Sequence, residues 1–289
     1  MRRDFDRNLL LGIMFILMSG LTSPLMNGFA KALGEHYNSM QVSWARAFGH
    51  VVFMLAVFVP RFGVRMLHTR HLGMHLLRSS FLFVSNLSYF FAIGFIPIAK
   101  AASINMTGPL MVAGLAWPML GERTTRGRVI AVLVGFTGAL IIIRPGSEVF
   151  HWAAFFVLFS ALMNGVYQIL TRRISGTEAA ETSAIYSSVV GAFGMLVVLP
   201  FIWVTPHGFA DIAMFCSMGV LGAMVHYFVA LALRFAPANI VTPFQYTQML
   251  GSVLVGWIMF GNLPDAMTWL GAGVVIASGL YVGWTQTRR

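Results

Sequence analysis

Residues 140 positions apart in this chain match each other, and a chain written twice over is expected to fold as two copies of one unit. Pro97 falls on Pro237, Asn86 on His226, Asn105 on Gln245 and Gly121 on Gly261 at that spacing, while Ser23 and Asn27 fall on Asn164 and Gln168 at 141. Each copy holds five long apolar segments. An odd number of crossings sends the second copy into a bilayer from the opposite side, so the copies are expected to be related by inverted topology. The expected fold class is an all-α integral membrane protein, with ten transmembrane helices forming two inverted five-helix repeats over 1–146 and 147–289.

Composition supports the bilayer independently. Hydrophobic residues make up 58% and charged residues only 10%, with mean hydropathy +0.78, against roughly 25% charged in soluble domains. A crossing helix needs about 20 apolar residues. Spans are expected at 9–30, 40–59, 75–95, 99–120, 128–143, 151–170, 183–204, 212–234, 238–260 and 267–284. Short connections rich in Pro, Gly and charge separate them. No stretch is left for a separate soluble domain.

The net charge of +10 encodes orientation rather than a nucleic-acid partner. With a cytoplasmic amino terminus, Arg2, Arg3, Arg7, Arg61, Arg65, Arg70, Arg78, Arg123, Arg126, Arg128, Arg172, Arg173, Arg234, Arg288 and Arg289 lie inside. Only Lys31, Lys100 and Arg144 lie outside. Fifteen against three satisfies the positive-inside rule and places both termini in the cytoplasm. The basic start followed by Ala30-Lys31-Ala32 imitates a cleaved signal, but its apolar run is too long and its counterpart is an internal helix, so it is read as a retained first span. Cys216 is the single cysteine. It permits no intrachain disulfide and no cysteine metal cluster, and is expected to be a small packing residue in span eight.

Charges at membrane depth persist only where they face a cavity or a partner. All nine carboxylates fall at span ends or in connections, which argues against a proton relay built on a buried Asp or Glu and leaves histidine for any coupling. Arg46 and His50 share a face of span two, and His226 lies in span eight. They are expected to form a cationic patch toward an anionic or zwitterionic group; the alternative is a snorkelling arginine and two neutral packing histidines. The second repeat offers Ser187 and Gly191 in place of Arg46 and His50, so the cavity should be electrically lopsided. His68, His71 and His75 read as a solvated basic connection.

Uncharged polar residues form further pairs three or four apart. Ser23 with Asn27, Asn164 with Gln168, Asn86 with Tyr89, and Thr242 with Gln245 each share a helix face and must point inward, because an unpaired amide in hydrocarbon costs several kcal/mol. Each either bonds one helix to another or lines a cavity. With Asn105 they suggest a cavity ringed by spans one, three, four, six, eight and nine. Tyr89, Tyr167, Tyr227 and Tyr246 lie deep enough to stack on a planar ligand, although packing is the simpler role for each. Most Phe residues are expected to face lipid or the bundle, and the Trp residues to mark the interfaces. Gly135 and Gly138 in span five, with Gly271, Gly273, Gly279 and Gly283 in span ten, are expected to let these two spans pack closely as scaffold.

The run IPIAKAASINMTGPLMVAGLAWPMLGERTTRGRVIAVLVGFTGALIIIRPG, Ile96 to Gly146, resembles the EamA repeat of the drug/metabolite transporter superfamily. The resemblance rests on Pro97 before span four, Pro109 within it, Gly121-Glu122 after it and Arg144-Pro145-Gly146 after span five. The second copy repeats the order with Pro237 and Gly261 but carries Asn262 where the first has Glu122. Membership implies ten helices around a central cavity, alternating access by rocking halves, and a bacterial inner membrane. VSWARAF around Arg46 and HLLRSSFLF around Arg78 look similar to the branch that contains riboflavin and S-adenosylmethionine uptake carriers.

The expected function is therefore a secondary transporter of a small organic metabolite, with uptake of a vitamin- or nucleoside-like compound such as riboflavin named first. Its substrate-binding residues would be Arg46, His50, Asn86, Tyr89, Asn105, Asn164, Gln168, His226, Gln245 and Tyr246. Export of amino acids, metallophores or toxic metabolites is the alternative within transport, and a membrane scaffold or assembly protein the alternative outside it. An enzyme would need clustered catalytic groups, which the sequence does not display. The expected partners are the small-molecule substrate and the lipid bilayer, with no cofactor, no metal and no nucleic acid; a homodimer is left open.

Overall fold

The computed structural model describes residues 2–120, 126–147, 150–174, 177–235 and 242–287, and among them there are helices and no strand. In chain order the helices are α1 (Arg2–Gly34), α2 (Ser39–Phe62), α3 (Leu72–Ile93), α4 (Ile98–Asn105), α5 (Gly108–Leu120), α6 (Arg126–Ile143), α7 (Ala153–Ile174), α8 (Ala180–Tyr186), α9 (Leu199–Ile202), α10 (Phe209–Phe235), α11 (Thr247–Phe260) and α12 (Ala266–Thr287). Among the described residues five stretches are long and apolar enough to cross a bilayer: Leu10–Gly34, Ser39–Arg61, Leu72–Ile93, Ala153–Thr171 and Phe209–Val229. Each coincides with an expected span. Gly121, Glu122 and Pro237, named as motif residues from sequence, lie outside the described residues.

Three expected spans are interrupted, and prolines in the sequence explain the break in span four. Span four is split into α4 and α5 at Met106 and Thr107. Pro97 holds φ −58° at the start of α4, and Pro109 is the second residue of α5, a first-turn position where its missing N–H costs nothing. Span nine enters α11 through a 3-10 turn, Thr242–Tyr246. The two breaks fall at matching positions of the halves, with Asn105 beside one and Gln245 within the other. Span seven runs from α8 through a π turn, Val190–Gly194, and a 3-10 turn, Met195–Val197, to α9. Gly261 ends α11 at φ +67°, and the N–H of Asn262 reaches the Gly256 carbonyl at 3.0 Å. A left-handed cap of this kind favours glycine.

The helices pack in pairs that exchange under a shift of one half. α1 lies along α10, and α3 lies along α7 in the matching way; α1 also packs on α11, as α7 does on α5. α2 lies on α10, and the interrupted seventh span lies on α3. α6 and α12, which close the two halves, pack on each other. A Cβ on Gly271 would stand 2.6 Å from the Gly138 carbonyl oxygen, so these two backbones touch, as the glycine pattern predicts. Cys216 differs from expectation: it is exposed on α10 rather than packed.

Candidate functional site

The site is built on a crossing without side chains. A Cβ on Gly219 would stand 2.3 Å from Gly49 Cα, so α2 and α10 meet backbone to backbone. The glycine contact leaves room beside it for large polar groups. The rings of His50 and His226 lie 5.6 Å apart, and Arg46 Nη2 is 3.5 Å from His226 Nε2, at the outer limit of a hydrogen bond. Arg46 is 5% exposed, and its Nε meets Met26 Sδ at 3.4 Å. No carboxylate pairs with it among the described residues.

Arg46 faces a narrow cleft between the halves, with about 10 Å³ of free interior, lined by Ser43, Ala47, Phe83, Asn86, Ser187, Ser188 and Gly191. Ser187 and Gly191 are the repeat counterparts of Arg46 and His50. One wall therefore carries the cation and the other a hydroxyl and a glycine, the lopsidedness read from sequence. No side chain fits at Gly191: its Cβ would stand 2.8 Å from the Phe83 ring and 2.9 Å from Ala47 Cβ. The π turn that places Gly191 there is fixed by Trp44, whose Nε1 donates to the Ala192 carbonyl at 3.0 Å.

Buried polar atoms without a hydrogen-bond partner concentrate here. Among the described residues they include Ser43 Oγ, Ser188 Oγ and both ring nitrogens of His50. The backbone of Ala184 interacts with the His50 ring but lies outside hydrogen-bonding geometry. Buried polar groups are nearly always paired, and leaving one unpaired costs about 1–3 kcal/mol. A cluster of them beside a guanidinium that has no carboxylate partner among the described residues has the chemistry of a site awaiting a ligand with several acceptors. Ser43 and Ser188 were not read from sequence, although Ser43 lies three residues before Arg46 and hence on its face.

Of the other expected site residues, Asn86 joins the cleft and the rest take other places. Asn86 lines the cleft, with Nδ2 on its own helix's Leu82 carbonyl at 2.8 Å, while Tyr89 is buried in the apolar core. Gln168 donates to Asn164 at 2.8 Å along α7. Tyr246 turns its hydroxyl onto α12, where a Cβ on Gly279 would overlap it at 1.7 Å. Asn105 and Gln245 mark the two helix breaks. Gln248 donates to Ser23 at 2.9 Å and ties α11 to α1, the bonding role rather than the lining one. The lining of this cleft thus comes from spans two, three and seven, with His226 of span eight behind it, rather than from the expected ring. Periodicity identifies inward faces but not the interruption that swings span seven in.

A second polar cluster corrects the reading of His75 as part of a solvated basic connection and gathers Arg78, counted among the cytoplasmic charges, beside it. Both are fully buried. Arg78 donates through Nε to His75 Nδ1 at 3.2 Å, through Nη1 to Thr171 Oγ1 at 2.9 Å, and through Nη2 to the Ser183 carbonyl. Its guanidinium also lies 5.5 Å from the Tyr167 ring centroid. His75 stacks on Tyr186 at 4.9 Å and turns Nε2 to Glu178 Oε2 at 3.7 Å. Thr69 donates to Glu178 Oε1 at 2.7 Å, and this hydrogen bond, with the His75 ring beside it, holds the carboxyl below its ordinary range. Tyr186 donates to the Leu67 carbonyl at 2.8 Å. The cluster ties the first half to the second at one end of the bundle.

The opposite end carries its own ties. Tyr37 donates to Asp211 at 2.6 Å, and Gln41 exchanges two hydrogen bonds with the Val204 backbone, at 2.8 and 3.0 Å. No group of three His, Cys, Asp or Glu side chains suited to a metal ion occurs among the described residues.

Comparison with known proteins places this geometry in context. The pattern of the EamA-like transporter family matches twice, over residues 10–144 and 151–284. A riboflavin transporter of Rhizobium johnstonii is 29% identical over 287 residues, covering 96% of this chain and 92% of its own. A riboflavin transporter of Vibrio cholerae is 26% identical, with 96% and 94% covered. An S-adenosylmethionine uptake transporter of Rickettsia prowazekii is 25% identical, with 99% and 96% covered. One crystal structure superposes with a TM-score of 0.65 at 18% identity, over 98% of this chain and 97% of its own.

Proposed function

The chain belongs to the EamA-like transporter family, and from that premise we propose that it takes up a vitamin- or nucleoside-like metabolite, riboflavin first among the candidates, by alternating access across a bacterial inner membrane. The observation that carries the reading is the set of unpaired buried polar atoms on Ser43, His50 and Ser188 around Arg46 at the seam between the halves. Such donors suit the carbonyl and ring-nitrogen acceptors of a flavin. They suit S-adenosylmethionine less, because that molecule brings its own positive charge to a wall that already holds a guanidinium.

Inverted topology with both termini cytoplasmic is part of the same reading, supported by the exchange of helix pairs and by the arginine distribution. With about 10 Å³ of free interior the cleft is far smaller than the roughly 300–1,000 Å³ of ligand pockets. Ties at both ends keep it narrow. Substrate entry then requires the halves to part at one end, which is the motion alternating access needs.

The test is thermal unfolding of the purified protein against riboflavin, S-adenosylmethionine, citrate and amino acids, with Arg46→Ala in parallel. A ligand at a hundred times its Kd adds about 2.7 kcal/mol. A shift with riboflavin that vanishes in Arg46→Ala supports the reading; a shift with another compound reassigns the substrate; no shift with any of them removes the support for their uptake.

A further inference from the structure

The hydrogen bond from Arg78 to His75 fixes where the imidazole's proton sits. A guanidinium only donates, so His75 Nδ1, which receives Arg78 Nε at 3.2 Å, carries a lone pair and the ring's single hydrogen is on Nε2. That hydrogen is directed to the Glu178 side, with Oε2 at 3.7 Å, and Nε2 has no hydrogen-bond partner. The ring is neutral, fully buried, and held between a cation and a carboxylate.

We propose that His75 Nδ1 is the proton-binding site of the transport cycle, and that loading it releases the seam between the halves at this end. The step is a single protonation. One proton from water adds to the Nδ1 lone pair, the Arg78 Nε–H···Nδ1 hydrogen bond breaks, and the imidazolium draws onto Glu178 through Nε2–H. Two like charges then stand one helical turn apart on α3. Arg78 is also the group that reaches across to Thr171 on α7 and to the Ser183 carbonyl on α8, so displacing it loosens the first half from the second.

The charged and titratable groups around His75 are consistent with a switch rather than a fixed ion pair. Arg78 and His71 face it from its own helix and cap, Glu178 from the connection between α7 and α8, and Tyr186 from α8; Tyr167 of α7 lies over Arg78. Among the described residues around it, the Glu178 carboxylate is offset by the Arg78 guanidinium, so the imidazole decides the net charge of the cluster. Glu178 is 7% exposed and gives the proton a route from the end of the bundle. The proposal rests on the alternating-access reading but not on the identity of the substrate.

The test needs no substrate. In a Cys216→Ser background, spin labels at Arg70→Cys and Ala179→Cys, both exposed positions, report the separation of the two connections by pulsed EPR in nanodiscs. The pH runs from about 8.5 to about 5.5, across histidine's range. The population at longer distance should grow as pH falls, by up to about tenfold per pH unit for one coupled proton. His75→Gln keeps an acceptor for Arg78 and a donor for Glu178 but takes no proton, and should remain at the short distance throughout. Glu178→Gln removes the imidazolium's counter-ion and should move the opening midpoint to lower pH. A distance that ignores pH in the parent, a pH response that survives in His75→Gln, or an unmoved midpoint in Glu178→Gln overturns the proposal. A failed ligand panel bears on the substrate alone, since none enters this measurement.

Discussion

Arg46 and Arg78 are two buried arginines in neighbouring spans, 5% and 0% exposed, with opposite surroundings. Arg78 spends its donors on a hydroxyl, a carbonyl and an imidazole across the seam, and its plane lies near a tyrosine ring. Arg46 has a thioether and, at the outer limit of distance, an imidazole nitrogen, beside serine hydroxyls that are themselves unpaired. Burial alone does not separate structural from ligand-binding charge inside a membrane. The inventory of hydrogen-bond partners does, because a charge that the fold uses is satisfied by the fold.

This contrast breaks first at Arg78→Ala. Removing a guanidinium that makes three hydrogen bonds should lower unfolding free energy by about 3 kcal/mol or more, seen as reduced melting temperature and membrane abundance. Arg46→Ala should change the stability of the empty protein by less than about 1 kcal/mol, yet erase a ligand-induced gain of about 2.7 kcal/mol at a hundred times Kd. If both variants unfold alike, the distinction fails. Gly219→Ala sharpens it from the side of the scaffold: the methyl meets the Gly49 backbone, so overpacking should cost about 1–3 kcal/mol and weaken ligand binding by parting α2 from α10.

The smallest effect belongs to a third arginine, Arg144, ion-paired with Asp265 where α6 ends and α12 begins. The Thr268 hydrogen bond, followed by the Arg144 guanidinium, holds the Asp265 carboxyl down at about 2, below its ordinary 3.8. A lowered carboxyl contributes stability above pH 3.8 that is lost as pH falls through about 2. With Asp265 51% exposed, Asp265→Asn should cost at most about 1 kcal/mol after solvent screening, measured as a flattened acid limb of the melting curve.

Much of this was legible in the sequence where a residue contradicted its local surroundings. Arg46, His50 and His226 stand out because an apolar run surrounds each, and Pro97 and Pro109 announce the break in span four. The burial of Arg78 and His75 is not legible, because they lie within the first two turns of α3, where a charge ordinarily reaches out to water; what covers them is Glu178, Thr171 and Ser183, about a hundred residues later. Tyr246 shows a different limit. Depth in a span gives no azimuth, and its ring turned to the glycine face of α12. The π turn in span seven has no residue signature at all, so the wall opposite Arg46 could be named by repeat position but not located.

The bare crossing of Gly49 and Gly219 also has a mechanical meaning. Interlocked side chains act as gear teeth: to turn one helix on another, each tooth must lift from its socket, and each lift is a barrier. At the Gly49–Gly219 contact itself there are no teeth, while His50 meets His226 and Phe58 meets Tyr227 elsewhere along the same pair of helices. Backbone touches backbone at that one point, which makes it a pivot for a small roll; the ring contacts along the two helices and the fastenings at the two ends supply the resistance.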